Sequence, residues 1–110
     1  MNDDIVRQVL NFRQSRNWEQ FHNPKDLAIS LSIEASELLE NFQWKTSEEA
    51  LDLKKENIAD ELADVLIYSI YLADALDLNI EDVVLNKLAK NERKYPVDKA
   101  FGRKDKYTDL

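Results

Sequence analysis

The sequence predicts an all-α protein, and three observations carry that reading. Glycine occurs once and proline twice in 110 residues, whereas a strand-rich fold needs such residues at its many tight turns. Apolar residues recur at helical spacing along most of the chain. Polar capping residues stand directly before three of those runs.

The first helix is expected from about Asp3 to Arg16, with Ile5, Val6, Val9, Leu10 and Phe12 on one apolar face. A polar stretch with two aromatics follows, Trp18-Glu19-Gln20-Phe21-His22. Asn23 then caps a helix that opens on Pro24, where the missing N–H costs nothing, and Asp26 suits the positive end of the helix dipole. This second helix reaches about Phe42, with Leu27, Leu31, Ala35, Leu38 and Phe42 as its stripe. Thr46 caps a third helix that can run to Leu76, with a kink expected before Asn57. Its second half is apolar nearly all round: Leu62, Val65, Leu66, Ile67, Ile70, Tyr71, Leu72, Ala75 and Leu76. One helix of a small domain cannot hide every face within its own chain, so an oligomer is expected. Asn79 caps a fourth helix that Pro96 stops near Tyr95. The organisation is then a helical domain over 1–96 and a tail over 97–110, basic through Lys99, Arg103, Lys104 and Lys106 around Gly102.

Composition excludes several classes. A chain of this length is one domain with a modest core. Its 44% hydrophobic and 34% charged residues rule against disorder. With no cysteine there is no disulfide, zinc-thiolate site or thiol nucleophile, which fits a cytoplasmic protein. The most apolar run, Val65 to Ala73, is too short to span a bilayer, so no membrane partner is expected. A net charge of −7 speaks against nucleic acid as a partner. It still allows a phosphate ligand if a divalent cation neutralises the site first.

Glu34 and Glu37 are spaced i and i+3 on the second helix and project about 60° apart on one face. Glu34 lies on the inward line of Leu27, Leu31 and Leu38, where an acid is costly unless compensated. Glu61 and Asp64 repeat the spacing beside Leu62 and Val65, and Asn57 and Tyr68 extend that face by one turn each way. A single Glu-x-x-Glu pair is usually solvated surface. Two pairs set in apolar stripes converge, and four carboxylates cannot all ionise together without a cation. All-oxygen ligands favour Mg²⁺, then Mn²⁺. A di-iron site needs Glu-x-x-His pairs, and the one histidine, His22, lies outside both helices.

These residues resemble the metal motif of MazG-like, all-α nucleoside triphosphate pyrophosphohydrolases, most closely the dCTP pyrophosphatase branch. The similar segments run in order over almost the whole chain: Asn17 to His22, Glu34 to Glu40, Phe42 to Lys45, Asp60 to Tyr68, Lys87 to Pro96 and Lys106 to Asp109. The broader family often has a Glu where this chain has Ile33, and the dCTP branch commonly lacks it. The segment between Trp44 and Glu61 is compact here.

The resemblance implies a four-helix bundle completed by a second subunit, often as a dimer of dimers. It also implies hydrolysis of a (deoxy)nucleoside triphosphate, dCTP or a modified dCTP foremost, to the monophosphate and pyrophosphate. Glu34, Glu37, Glu61 and Asp64 would hold Mg²⁺, with Glu37 or Glu34 taking the proton of the attacking water. Lys87, Asn91 and Lys94, on one stripe of the fourth helix, would meet phosphate and sugar. Trp18, His22, Trp44 and Tyr68 would hold the base, and Lys104 and Tyr107 of the tail would close over the site. The competing readings are a dUTP-preferring or house-cleaning relative and a catalytically idle helical interaction module.

Overall fold

The computed structural model describes residues 2–110. Among them every regular element is helical. Helix α1 spans Asp3–Gln14, α2 Pro24–Glu40, α3 Ser47–Ala75, α4 Ile80–Lys94 and α5 Val97–Ala100. Two short 3₁₀ turns, Trp18–Phe21 and Tyr107–Asp109, complete the chain.

The expected starts hold, and the structure supplies their hydrogen bonds. Asn23 Oδ1 accepts from the Asp26 N–H at 2.9 Å, and Asn79 Oδ1 from the Asp82 N–H at 3.0 Å. At Thr46 the cap is reciprocal: Oγ1 accepts from the Glu49 N–H at 3.1 Å, and the Glu49 carboxylate accepts from the Thr46 N–H at 3.2 Å. Each bond satisfies an N–H that has no partner inside its helix. The kink in α3 falls at Lys54, whose φ of −134° and ψ of 20° leave the helical region. Two ends come earlier than expected: α1 stops at Gln14 and α2 at Glu40. Behind α1, Ser15 and Arg16 hydroxyl and guanidinium groups donate to the carbonyls of Asn11 and Phe12, and Asn17 turns left-handed at φ 54°.

The chain forms two compact units, one ending at Leu78 and the other Asn79–Leu110. In the first, α2 and α3 pack along each other as antiparallel neighbours across a short turn. Leu27, Ala50, Ile70 and Tyr71 are its buried hydrophobic residues, and a fully buried leucine contributes roughly 1.5–3 kcal/mol. Ala35, assigned to the α2 stripe from its spacing, is exposed. The inward line passes through Glu34 instead, and Ala35 stands a further ~100° around the helix.

Arg13 was not expected inside, yet it is 1% exposed. Its guanidinium donates to Asp74 at 2.7 Å, lies 3.7 Å from Glu19, and stands over the Tyr71 ring at 5.4 Å. A buried charge is tolerable only when paired in this way. It ties α1 and the Trp18–Phe21 turn to the second half of α3.

In the second unit α4 is grouped with the segment that follows it. Tyr95 and Tyr107 meet edge to face at 5.9 Å, and Lys94 Nζ lies 4.8 Å from the Tyr107 ring. The residues after Pro96 are not wholly irregular, since α5 and the Tyr107–Asp109 turn lie there.

Replacing Thr46 with Ala removes one side of the reciprocal cap. The expected loss is about 1 kcal/mol, read as a lower urea midpoint at unchanged slope.

Candidate metal and nucleotide site

The antiparallel packing sets a register. Asn41 meets Asn57 through a hydrogen bond of 2.6 Å. One turn further along both helices, Glu37 faces Glu61 closely enough to perturb its ionisation. One turn beyond that, Glu34 meets Asp64. The i, i+3 spacing on each helix therefore becomes a four-carboxylate cluster, all half-buried.

Glu34, Glu61 and Asp64 each offer an oxygen within 4.8 Å of the others. Burial pushes the Glu34 carboxyl up to about 7, helped by the Glu37 side chain and then by the charges of Asp64 and Glu61. Burial also raises Glu61, followed by its repulsion from Glu37 and Asp64. One oxygen of Glu34 and one of Glu61 are buried without any hydrogen-bond partner. An unpaired buried carboxylate oxygen is costly, and a cation bridging the two would relieve both. The donor set is all oxygen, which suits a hard divalent ion such as Mg²⁺ or Mn²⁺.

Two of the cavities that border the acids within this unit differ in character. One, of about 350 Å³, is lined by Gln8, Val9, Phe12, Trp18, Ile67, Tyr68 and Tyr71, with Asp64 at its acidic edge. Phe12 meets Trp18 edge to face at 5.7 Å, and Tyr68 meets Tyr71 at 5.6 Å. The Arg16 guanidinium covers Phe12 at 3.7 Å. The other cavity, about 420 Å³, is polar: Glu37, Glu40, Asn41, Gln43, Lys54, Asn57 and Glu61 line it.

Of the residues expected to hold a base, Trp18 and Tyr68 line the aromatic cavity. His22 stands behind it, its ring 5.0 Å from that of Tyr71. Burial, then the charge of Arg13, depresses the His22 pKa. Trp44 is not brought to this cavity by its own chain. It sits on the α2–α3 turn at φ 62° with its ring 92% exposed, a conformation that is strained for a bulky side chain. Lys87, Asn91, Lys94, Lys104 and Tyr107 belong to the second unit, where Lys87 and Asn91 sit one turn apart on α4 and Asn91 is half-buried. Phe12, Tyr71, Asn41 and Lys54 were missed as cavity-lining residues. Asn41, four residues past Glu37, carried the one readable signal, the same face one turn on.

An all-helical chain with paired acids in antiparallel register beside an aromatic cavity offers an oxygen donor set that could hold a divalent cation. Comparison with known proteins narrows the class. The MazG-like family profile matches residues 29–110. The chain is 40% identical to dCTP pyrophosphatase 1 of Bos taurus over 113 aligned positions, covering 98% of this chain and 67% of that protein. For the Homo sapiens protein of the same name the figures are 39%, 98% and 66%. The chain thus spans about two thirds of the length of these curated relatives. The crystal structure of a pyrophosphatase from Archaeoglobus fulgidus is similar with a TM-score of 0.78 and 45% identity, over 86% of this chain and 91% of that one. The chain belongs to the MazG-like family.

The raised acid sets a pH dependence for the metal-free protein. Glu34 titrates near 4.5 when unfolded and about 7 when folded. Its contribution is full below the unfolded value and is lost as pH rises through 7. His22 has the opposite sign, losing stability as pH falls below its ordinary 6.5. With chelator present, the melting temperature of the wild type relative to Glu34→Gln should therefore fall between pH 5 and pH 8. Mg²⁺ should raise it again at pH 8. A pH-independent difference would contradict the clustered geometry.

Proposed function

We propose that this chain hydrolyses deoxynucleoside triphosphates, dCTP or a modified dCTP foremost, to the monophosphate and pyrophosphate. The observation that carries the reading is the three-carboxylate set with two orphaned buried oxygens, opening onto an aromatic cavity. The names of the curated relatives and of the similar solved structure support the same reaction.

Glu34, Glu61 and Asp64 would hold Mg²⁺, with Glu37 beside them. When bound, the ion offsets charge on the phosphate oxygens and orients water for attack. Glu37 stands outside the three-oxygen set, which favours it over Glu34 as the base. In this reading a Glu37 oxygen takes the proton of a water whose oxygen bonds to the α-phosphorus. The bond from that phosphorus to the bridging oxygen breaks, and pyrophosphate leaves.

The aromatic cavity holds the base. Its volume lies within the roughly 300–1,000 Å³ typical of small-molecule sites. Trp18 and Tyr68 supply faces and edges for stacking, and His22 holds Tyr71 in place. Lys87, Asn91 and Lys94 serve the phosphates and sugar. Trp44, Lys104 and Tyr107 serve the nucleotide through the assembled oligomer.

A second copy of the chain covers the apolar residues this fold leaves outside. Leu62 and Leu66 of α3 are 48% and 43% exposed, and Ile29 and Ile33 of α2 are each 51% exposed. Light scattering should give a dimer or a dimer of dimers, and a monomer would remove this part of the proposal. Among the described residues no helix is long and apolar enough to cross a membrane.

Pyrophosphate release should be stoichiometric with nucleoside monophosphate, require Mg²⁺ and stop with chelator. In a panel of triphosphates dCTP should be fastest. Glu61→Gln should lower kcat by orders of magnitude with the helical circular dichroism intact. Trp18→Ala should raise KM about tenfold, in line with ~1–3 kcal/mol per stacked base. A folded chain that cleaves no triphosphate with Mg²⁺ or Mn²⁺ would leave the helical interaction module as the reading.

A further inference from the structure

Two asparagines lie one turn beyond the acids. Asn41 caps the C-terminal end of α2 and is only 2% exposed. Its amide nitrogen donates to the carbonyls of Glu37 and Leu38, both at 3.2 Å. Its amide oxygen accepts from Asn57 Nδ2 at 2.6 Å. This side-chain hydrogen bond joins the end of α2 to α3 beside the acids. Asn41 stands four residues after Glu37 and Asn57 four before Glu61, so each asparagine shares a helix face with an acid.

The chemistry of the pair suits the place. Ionised acids at this separation push α2 and α3 apart. A carboxylate–cation bond there would change the charge of the cluster, whereas an amide pair restrains the helices and adds none. The pair is also self-consistent. Asn41 uses its nitrogen on carbonyls of α2's last turn, which leaves its oxygen for α3. Removing Asn57 takes away the α3 donor to that oxygen.

We propose that Asn41 and Asn57 are positioning residues, a neutral clamp that holds α2 against α3 at the spacing in which Glu34, Glu61 and Asp64 bind a divalent cation with Glu37 beside them. The inference rests on the reading of those carboxylates as the metal site. The residues act through the acids and touch neither metal nor substrate.

The test is Mn²⁺ binding to the full chain, measured by the electron paramagnetic resonance of free Mn²⁺. Asn57→Ala should weaken binding about tenfold or more, the scale typical of groups that orient metal ligands. Asn57→Ser, which keeps a polar group too short to reach Asn41, should lose as much. Asn41→Leu combined with Asn57→Ala should do little further harm, because the two act as one unit. Thr46→Ala, which lowers stability at the far end of the same turn, should bind Mn²⁺ like the wild type. Wild-type affinity in a folded Asn57→Ala or Asn57→Ser protein, even one with a reduced melting temperature, would overturn the clamp and leave the metal site standing. A wild-type chain that binds no Mn²⁺ would overturn the metal site and the clamp with it.

Discussion

Everything in the first unit is arranged around the mutual repulsion of four carboxylates between two antiparallel helices. The i, i+3 spacing on α2 and on α3 would mean little on separate surfaces. Packed in register, it puts oxygens of Glu34, Glu61 and Asp64 within 4.8 Å of each other. Such a cluster is unstable as four anions, and the structure carries the signs: Glu34 driven to about 7, Glu61 raised, and two buried oxygens without partners. A divalent cation held there would remove the repulsion and use those oxygens, and binding it would stabilise the folded chain.

The rest of the unit serves to hold that cluster and to set a ring beside it. Arg13 pairs with Asp74 and stands over Tyr71, fixing the wall of the aromatic cavity from within. The Trp18–Phe21 turn, entered through left-handed Asn17, brings Trp18 against Phe12 at the rim. Asp64 belongs both to the acid cluster and to the cavity lining. That shared residue joins the aromatic cavity to the acid cluster, the juxtaposition from which the proposed nucleotide site is argued.

Much of this was legible in the sequence, for identifiable reasons. Asn23, Thr46 and Asn79 mark helix starts because a capping side chain acts on its own neighbours, so the signal is local. The acids could be read because Glu34 interrupts an apolar stripe, and a charge there demands a partner. The MazG-like resemblance pointed to the same four residues, and the comparison bears out the family itself. What escaped depends on contacts distant in sequence. Arg13 reads as a surface residue until Asp74, sixty-one positions away, is folded onto it. Asn41 reads as an ordinary helix end until Asn57 meets it across the turn. Ala35 looked inward by type and lies outward by angle. Trp44 was grouped with Trp18 by residue type, while its own chain sends it into solvent.

The most direct test of the account is calorimetric titration of Mn²⁺ into the metal-free protein, repeated across pH in buffers of different ionisation heat. Binding heats that vary with buffer report protons released by the ligands. The account predicts release of roughly one proton per ion near pH 6, mostly from Glu34, declining as pH passes 7 and nearly absent by about pH 8.5. Tight binding with no proton release at any of these pH values would contradict a raised Glu34 as a ligand, and the absence of binding would contradict the site itself.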